Sequence, residues 1–257
     1  MSLRRSKWSI VLFTAMMVLV MAVSAQAYRE GQECAYRGWM PGMPEPNTLT
    51  EAEKAAGWIL LYDGGDELGP YWRGFRSTTP PAGWKAMGGC IVRISGGGDL
   101  MTVFPIENFE LKLEWAVEPG GNSGIIWRVN PNIGGAPYET GPEMQILDDV
   151  RHADGSNPLT SAGSDYGMYA RPDNRVVYPP YEFNRVHIIV NGAHVTYYLN
   201  DIKVVEYELW SDDWYERLSQ SKFTAWPGYG MQKEGHIVLQ DHGDIVWFRN
   251  IKIRQLP

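Results

Sequence analysis

The 257-residue chain contains only two cysteines, Cys34 and Cys90. Two thiolates alone cannot complete a zinc site, so any metal here would need histidine and carboxylate ligands. Beyond the first 27 residues there is no cluster of lysine or arginine, and the net charge is −7. Duplex nucleic acid, which demands a basic surface, is therefore a poor partner. After residue 27 no apolar run approaches the roughly 20 residues that span a membrane. The chain also lacks an internal repeat and any rhythm of strands alternating with long helices, which argues against a parallel sheet.

The start of the chain is of a different kind. Arg4, Arg5 and Lys7 precede an apolar run from Trp8 to Val23, and Ala25-Gln26-Ala27 supplies a small-x-small cleavage pattern. Residues 1–27 are expected to be a signal peptide, and the mature protein to be exported to the periplasm or the extracellular space. Tyr28, not cysteine, follows the pattern, which argues against a lipid anchor. In an oxidising compartment Cys34 and Cys90 can form a disulfide tying the N-terminal arm to an early strand; two separate buried thiols are the alternative.

Aromatic residues make up 12% of the chain, with 11 Trp and 14 Tyr. They suit both a large core and the stacking of sugar rings. Residues 28–56 read as an arm ending in a short helix at 50–56, where Thr50 and Glu53 have capping-box spacing. Residues 57–257 read as one all-β domain, an antiparallel β-sandwich. Phe109 to Val117 alternates strictly, and further strands are predicted at 58–62, 90–94, 124–129, 143–147, 186–190, 195–199, 203–207, 236–240 and 246–253. Asn200-Asp201 reads as a tight hairpin turn, and 212–220 as a second short helix capped by Ser211.

Polar residues are densest between 122 and 149. Asn122 opens a strand that carries Trp127 and Arg128. On the strand Glu143–Leu147, Glu143 and Gln145 project from one face and Met144 and Ile146 from the other. Asp148 and Asp149 close it. His242 sits in the turn Gln240-Asp241-His242-Gly243-Asp244, before the last strand. His187 and His194 read as structural, and His152 as part of a loop rim. The spacing Glu143-x-Gln145-x-x-Asp148 is similar to the Glu-x-Asp-x-x-Glu of laminarinase-type retaining glycosidases. That chemistry needs a bulge to bring Glu143 and Asp148 onto one face.

Six blocks occur in a telling order: Trp58 to Gly64, Gly98-Asp99-Leu100, Phe109 to Trp115, Gly120 to Ile125, Glu143 to Asp149, and Gln240-Asp241-His242-Gly243 through Phe248-Arg249-Asn250-Ile251-Lys252-Ile253. Over residues 57–254 the chain resembles the 3-keto-disaccharide hydrolase family. The resemblance implies a concanavalin-like jelly roll, export in bacteria, and action on a carbohydrate, a glycoside or disaccharide oxidised at C3. A C3 ketone acidifies the C2 hydrogen, so a base can remove it and the C1 substituent leaves by elimination.

On that basis Glu143, His242 and Asp148 are the candidate catalytic residues, and Arg128, Gln145, Asn122, Trp127 and Asp149 the candidate substrate contacts. Arg128 is assigned to the enolate and Gln145 to sugar hydroxyls. Glu143 and His242 could instead hold a divalent metal. A non-catalytic carbohydrate-binding module and a conventional retaining glycosidase remain the alternatives. The segments 171–182 and 209–234 look like inserts that reshape the cleft.

Overall fold

The alternation over residues 109–117 is realised in the fold: Phe109, Leu111, Leu113 and Trp115 are buried, while Glu110, Lys112 and Glu114 are part-exposed. The computed structural model describes residues 34–174 and 176–257, so the expected signal peptide lies outside the described residues. The strands are β1 (Ile59–Leu60), β2 (Trp72–Gly74), β3 (Trp84–Met87), β4 (Cys90–Arg93), β5 (Leu100–Thr102), β6 (Phe109–Val117), β7 (Asn122–Val129), β8 (Glu143–Leu147), β9 (Asn184–Asn191), β10 (His194–Leu199), β11 (Ile202–Glu208), β12 (His236–Leu239) and β13 (Val246–Gln255). β2, β3 and β5 were not expected; each has only three or four residues.

Two antiparallel sheets result. One runs β11-β10-β9-β6-β13-β4-β3, with β1 on β13; the other runs β2-β5-β12-β7-β8. The chain passes repeatedly between them, so neither sheet is built from one stretch of sequence. Side chains of both meet in a single core that includes Leu111, Trp115, Ile125, Trp127, Met144, Tyr197 and Phe248. Each large apolar side chain so buried contributes roughly 1.5–3 kcal/mol. The fold is the all-β sandwich expected from the pattern.

Both short helices form as predicted. α1 (Glu51–Ala55) carries the full Thr50/Glu53 capping box, and α2 (Asp212–Gln220) is capped by Ser211. Asn200 and Asp201 both have positive φ (49° and 67°), the two-residue turn that matches strand twist between β10 and β11.

A disulfide joins Cys34 to Cys90 on β4. Arg249 reinforces it. One guanidinium nitrogen donates to the carbonyls of Cys34, Ala35 and Arg37, and another pairs with Glu114 at 2.7 Å. Asn47 and Asn250 exchange hydrogen bonds, each amide N–H donating to the other's side-chain oxygen. The Arg249-Asn250 pair of the last block therefore holds the arm on the outside of the larger sheet. Replacing both cysteines by serine is expected to lower unfolding free energy by about 2–4 kcal/mol, since the bridge spans 56 residues. Denaturant melts of oxidised wild type against the double variant measure it.

Candidate active site

The five-stranded sheet is covered on both faces. Its inner face joins the main core. Its outer face has an apolar patch of Met101, Ile126, Val129 and Val238, packed by Phe75. Pairing fixes which polar residues flank this patch. Glu143 lies opposite Ile126, and Ile126 opposite Val238. One step along, Gln145 lies opposite Gly124, the Gln240 amide donates to the Gly124 carbonyl, and the Phe75 amide donates to the Asp99 carbonyl. Gln145, Gly124, Gln240, Asp99 and Phe75 therefore form one row across the outer face. Beyond β8, the backbone of 163–166 continues the ladder: Tyr166 N–H donates to the Glu143 carbonyl and Gln145 N–H to the Ser164 carbonyl.

Glu143 lies across this row. A Cβ placed on Gly124 would stand 1.9 Å from a Glu143 carboxylate oxygen, so the carboxylate occupies the space the missing side chain leaves. Gly124 has no positive φ; its glycine character serves this close approach. The Glu143 side chain is almost wholly buried. Burial pushes its carboxyl up to about 8; the Lys222 ammonium opposes the rise, while Asp165 and Asp99 add to it. Lys222 stands 4.4 Å over the Tyr166 ring, so ammonium, phenol and carboxyl are neighbours at one edge of the site. Burial also raises the Tyr166 hydroxyl, aided by Asp154 and Glu143.

Around Gly124 three buried amide oxygens have no partner within the protein: Asn122 Oδ1, Gln145 Oε1 and Gln240 Oε1. Buried polar atoms are almost always paired, and exceptions call for an explanation. Three on one face, beside a buried carboxyl, are suited to the hydroxyls of a polyol. Asn122 is also 3.4 Å from His152 Nε2, and the His152 ring lies edge-on to His242 with centroids 6.4 Å apart. His242 is exposed and belongs to the rim, where the His152 ring lies against it.

The turn carrying His242 is held from beneath. Asp241 pairs with Arg93 of the larger sheet at 2.7 Å, both side chains buried, and accepts from Gly98 N–H. Asp241 N–H in turn donates to Asp99. Two wider grooves, about 490 and 740 Å³, lie elsewhere, one beneath the arm and one around Arg73 and His236. Neither is lined by Glu143, Gln145 or Asp99.

Four sequence expectations are corrected by this geometry. Trp127 does not face a ligand: it is buried between the sheets and donates to the Tyr197 hydroxyl at 2.6 Å. Arg128 does not reach the site. His236 pairs with Val129 and Val238 with Ile126, so Trp127 and Arg128 together oppose Ile237 in a bulge. Arg128 has φ 52°, and its guanidinium turns away to the Glu107 and Gly192 carbonyls.

Asp148 is a turn acceptor, not an acid. It receives the N–H groups of Gly120 and Val150 and pairs with Arg151, contacts that hold its carboxyl below the usual range despite burial. Asp149 accepts from Ala162 N–H and lies 3.7 Å from Arg171, a structural setting. β8 pairs with β7 without a register shift, so the bulge needed to bring Glu143 and Asp148 onto one face is absent there. The retaining-glycosidase geometry therefore fails. No group of three His, Cys, Asp or Glu side chains that could hold a metal ion occurs among the described residues. The Glu143/His242 pair does not fit a metal centre.

A raised carboxyl has a thermodynamic sign. Native Glu143 keeps its proton to about pH 8, whereas an unfolded glutamate loses it near pH 4.3. Between these values the native state binds more protons than the unfolded state, so this group lowers stability as pH rises through that window. Glu143→Gln is expected to raise Tm by a few degrees at pH 8 and to change it little at pH 4. Thermal melts across that range read the difference.

Residues 57–254 match the family described as the 3-keto-alpha-glucoside-1,2-lyase-like domain. The chain is 34% identical over 244 residues to the 3-keto-disaccharide hydrolase of Bacteroides thetaiotaomicron, covering 82% of this chain and 83% of that one. Among solved structures it is similar to a protein provisionally described as a glycosyl hydrolase from Parabacteroides distasonis, with TM-score 0.75, 35% identity and coverage of 82% and 100%. A second such protein from that organism aligns with TM-score 0.56 and 25% identity, covering 73% and 100%. A family match over most of the chain, joined to a buried carboxyl on a β-sandwich, leads to one conclusion: this protein is a carbohydrate-active, glycoside hydrolase-like enzyme belonging to the 3-keto-disaccharide hydrolase family.

Proposed function

We propose that this enzyme cleaves C3-oxidised glycosides by removing the C2 proton, with Glu143 as the base. The observation that carries the reading is the Glu143 carboxyl, buried on Gly124 among unpaired amide oxygens. A carboxylate released from water is a stronger base than a solvated one, and a pKa near 8 is matched to taking a proton next to a ketone near neutral pH. His242, exposed at the rim, is less suited to that role.

The electron flow needs no second carboxylate on the anomeric carbon. Glu143 accepts the C2 proton, and the C2–H electrons move to form an enolate at C2–C3. The negative charge on O3 falls to the Lys222 ammonium and the Tyr166 phenol, the cation and donor beside Glu143. The C1–O bond then breaks, its electrons leave with the departing oxygen, and C1=C2 forms as the ketone is restored. Water adding across C1=C2 completes hydrolysis. Asn122, Gln145 and Gln240 hold hydroxyls of the ring. We also propose that the protein works outside the cytoplasm, a reading supported by the basic, apolar and Ala-x-Ala start of the chain and by the paired cysteines.

Two measurements test this. A 3-keto-glucoside with a chromogenic leaving group is expected to release it, and the unoxidised glucoside is not; release from the plain glucoside alone would sink the reading. On the keto substrate kcat/KM should rise with pH through an apparent pKa near 8, since the base must be ionised. Gly124→Ala is the sharper variant. Its methyl displaces the Glu143 carboxylate without backbone strain, so kcat/KM should drop by about 10²-fold or more with unchanged circular dichroism. Activity within a few-fold of wild type would remove Glu143 from the mechanism.

A further inference from the structure

The elimination leaves one requirement unassigned: a proton for the departing oxygen. Glu143 keeps the C2 proton until it returns it to C2 during hydration, and Lys222 and Tyr166 stand on the β8 side of the site. Across Gly124 from them, the same row carries a second carboxyl, Asp99.

We propose that Asp99 is the general acid of this enzyme, protonating the glycosidic oxygen as the C1–O bond breaks. Leu100 points into the main core and Met101 into the outer apolar patch, so the alternation puts Asp99 on the outer face with Met101. Phe75 N–H donates to its carbonyl at 3.1 Å and extends the β2–β5 ladder to this residue. Glu143 covers Gly124 on β7, and Asp99 lies two strands further across. At about 4.8 Å per strand the Gly124 and Asp99 backbones are about 10 Å apart. The row between the two carboxyls bears only Gly124, which has no side chain, and Gln240. The two carboxyls therefore lie on the same outer face with Gly124 and Gln240 between them, close enough for the Asp99 charge to act on Glu143.

One Asp99 carboxylate oxygen accepts from Asp241 N–H at 2.9 Å, which fixes the group. Burial raises the Asp99 carboxyl, with the Asp241 charge adding and the Asp241 N–H opposing. The raised carboxyl favours the protonated state a donor needs. Asp241 is anchored to Arg93, so the buried ion pair acts on catalysis through Asp99 as well as through the His242 turn.

The balance is complete. Protonated Asp99 gives its proton to the glycosidic oxygen, which departs as an alcohol with the C1–O electrons. Ionised Asp99 then takes a proton from the water that adds to C1, and Glu143 returns its proton to C2. No oxidant or cofactor is consumed.

The proposal rests on the elimination reading, and the test separates the two. Asp99→Asn keeps an acceptor for Asp241 N–H. Wild type and variant are compared on 3-keto-glucosides of methanol and of 4-nitrophenol, with C2–H exchange followed by NMR in D2O. The expected result is a loss of about 10²–10⁴-fold in kcat/KM on the methyl glycoside and less than about tenfold on the nitrophenyl one, while D99N still exchanges C2–H. Equal losses on both substrates, or loss of exchange together with cleavage in D99N, would overturn the assignment. Absence of C2 exchange and of a C2-deuterium isotope effect in both proteins would instead overturn the elimination reading, and the leaving-group contrast would still decide whether Asp99 is the donor.

Discussion

The buried pair of Arg93 and Asp241 is the constraint on which the site depends. Arg93 belongs to the eight-stranded sheet and Asp241 to the turn after the last strand of the five-stranded one. A buried ion pair is a poor source of net stability, because desolvation offsets much of the attraction. Its value here is geometric. Asp241 also takes the N–H of Gly98 and gives its own to Asp99. One residue, Asp241, thus ties the two sheets together at this end through its carboxylate and orients Asp99 through its backbone N–H, in the turn bearing His242.

The second determinant is that β8 is buried on both faces. Glu143 lies on its outer side. Met144 and the bridged Asp165 lie on its inner side, where Asp165 accepts from the Tyr207 and Tyr197 hydroxyls at 2.5 and 3.2 Å. Burial raises Asp165 to about 7, and its charge contributes to the rise at Glu143. Placing a carboxyl on each side of one strand costs stability at neutral pH. Such costs are characteristic of sites whose residues must titrate in the working range. The tyrosines hold Asp165 inside the core, and the Lys222 ammonium offsets part of the cost at Glu143.

Much of this fold is legible in the sequence, because period-2 patterning is a direct record of which face is buried. Phe109–Val117 and Glu143–Leu147 fall at the predicted boundaries, and the projection of Glu143 and Gln145 from one face follows from alternation alone. β2, β3 and β5 are too short for a period to show. Arg128 was misplaced for a related reason: strict alternation assigns it to the outer face with Gly124 and Ile126, and the bulge opposite Ile237 cancels that. Trp127 is an aromatic whose composition suits stacking and whose register makes it core. Asp99 and Gln240 stood in recognisable blocks of sequence, but only the pairing of β5, β12 and β7 shows that they share a row. Lys222 and Tyr166 carry no local signal; one comes from the 209–234 insert and the other from a loop that closes on β8.

Gly124 leads to a conclusion about descent. Three unpaired amide oxygens on one face do not by themselves distinguish a lectin from a catalyst. With Glu143 as the proposed base, the distinction rests on whether its carboxyl can lie over the neighbouring strand, which the absence of a methyl group at Gly124 permits. Any non-glycine residue at this position would meet the Glu143 carboxylate where it now lies. Under the proposed mechanism, a single codon change at Gly124 would separate a catalyst from a protein that only holds sugar.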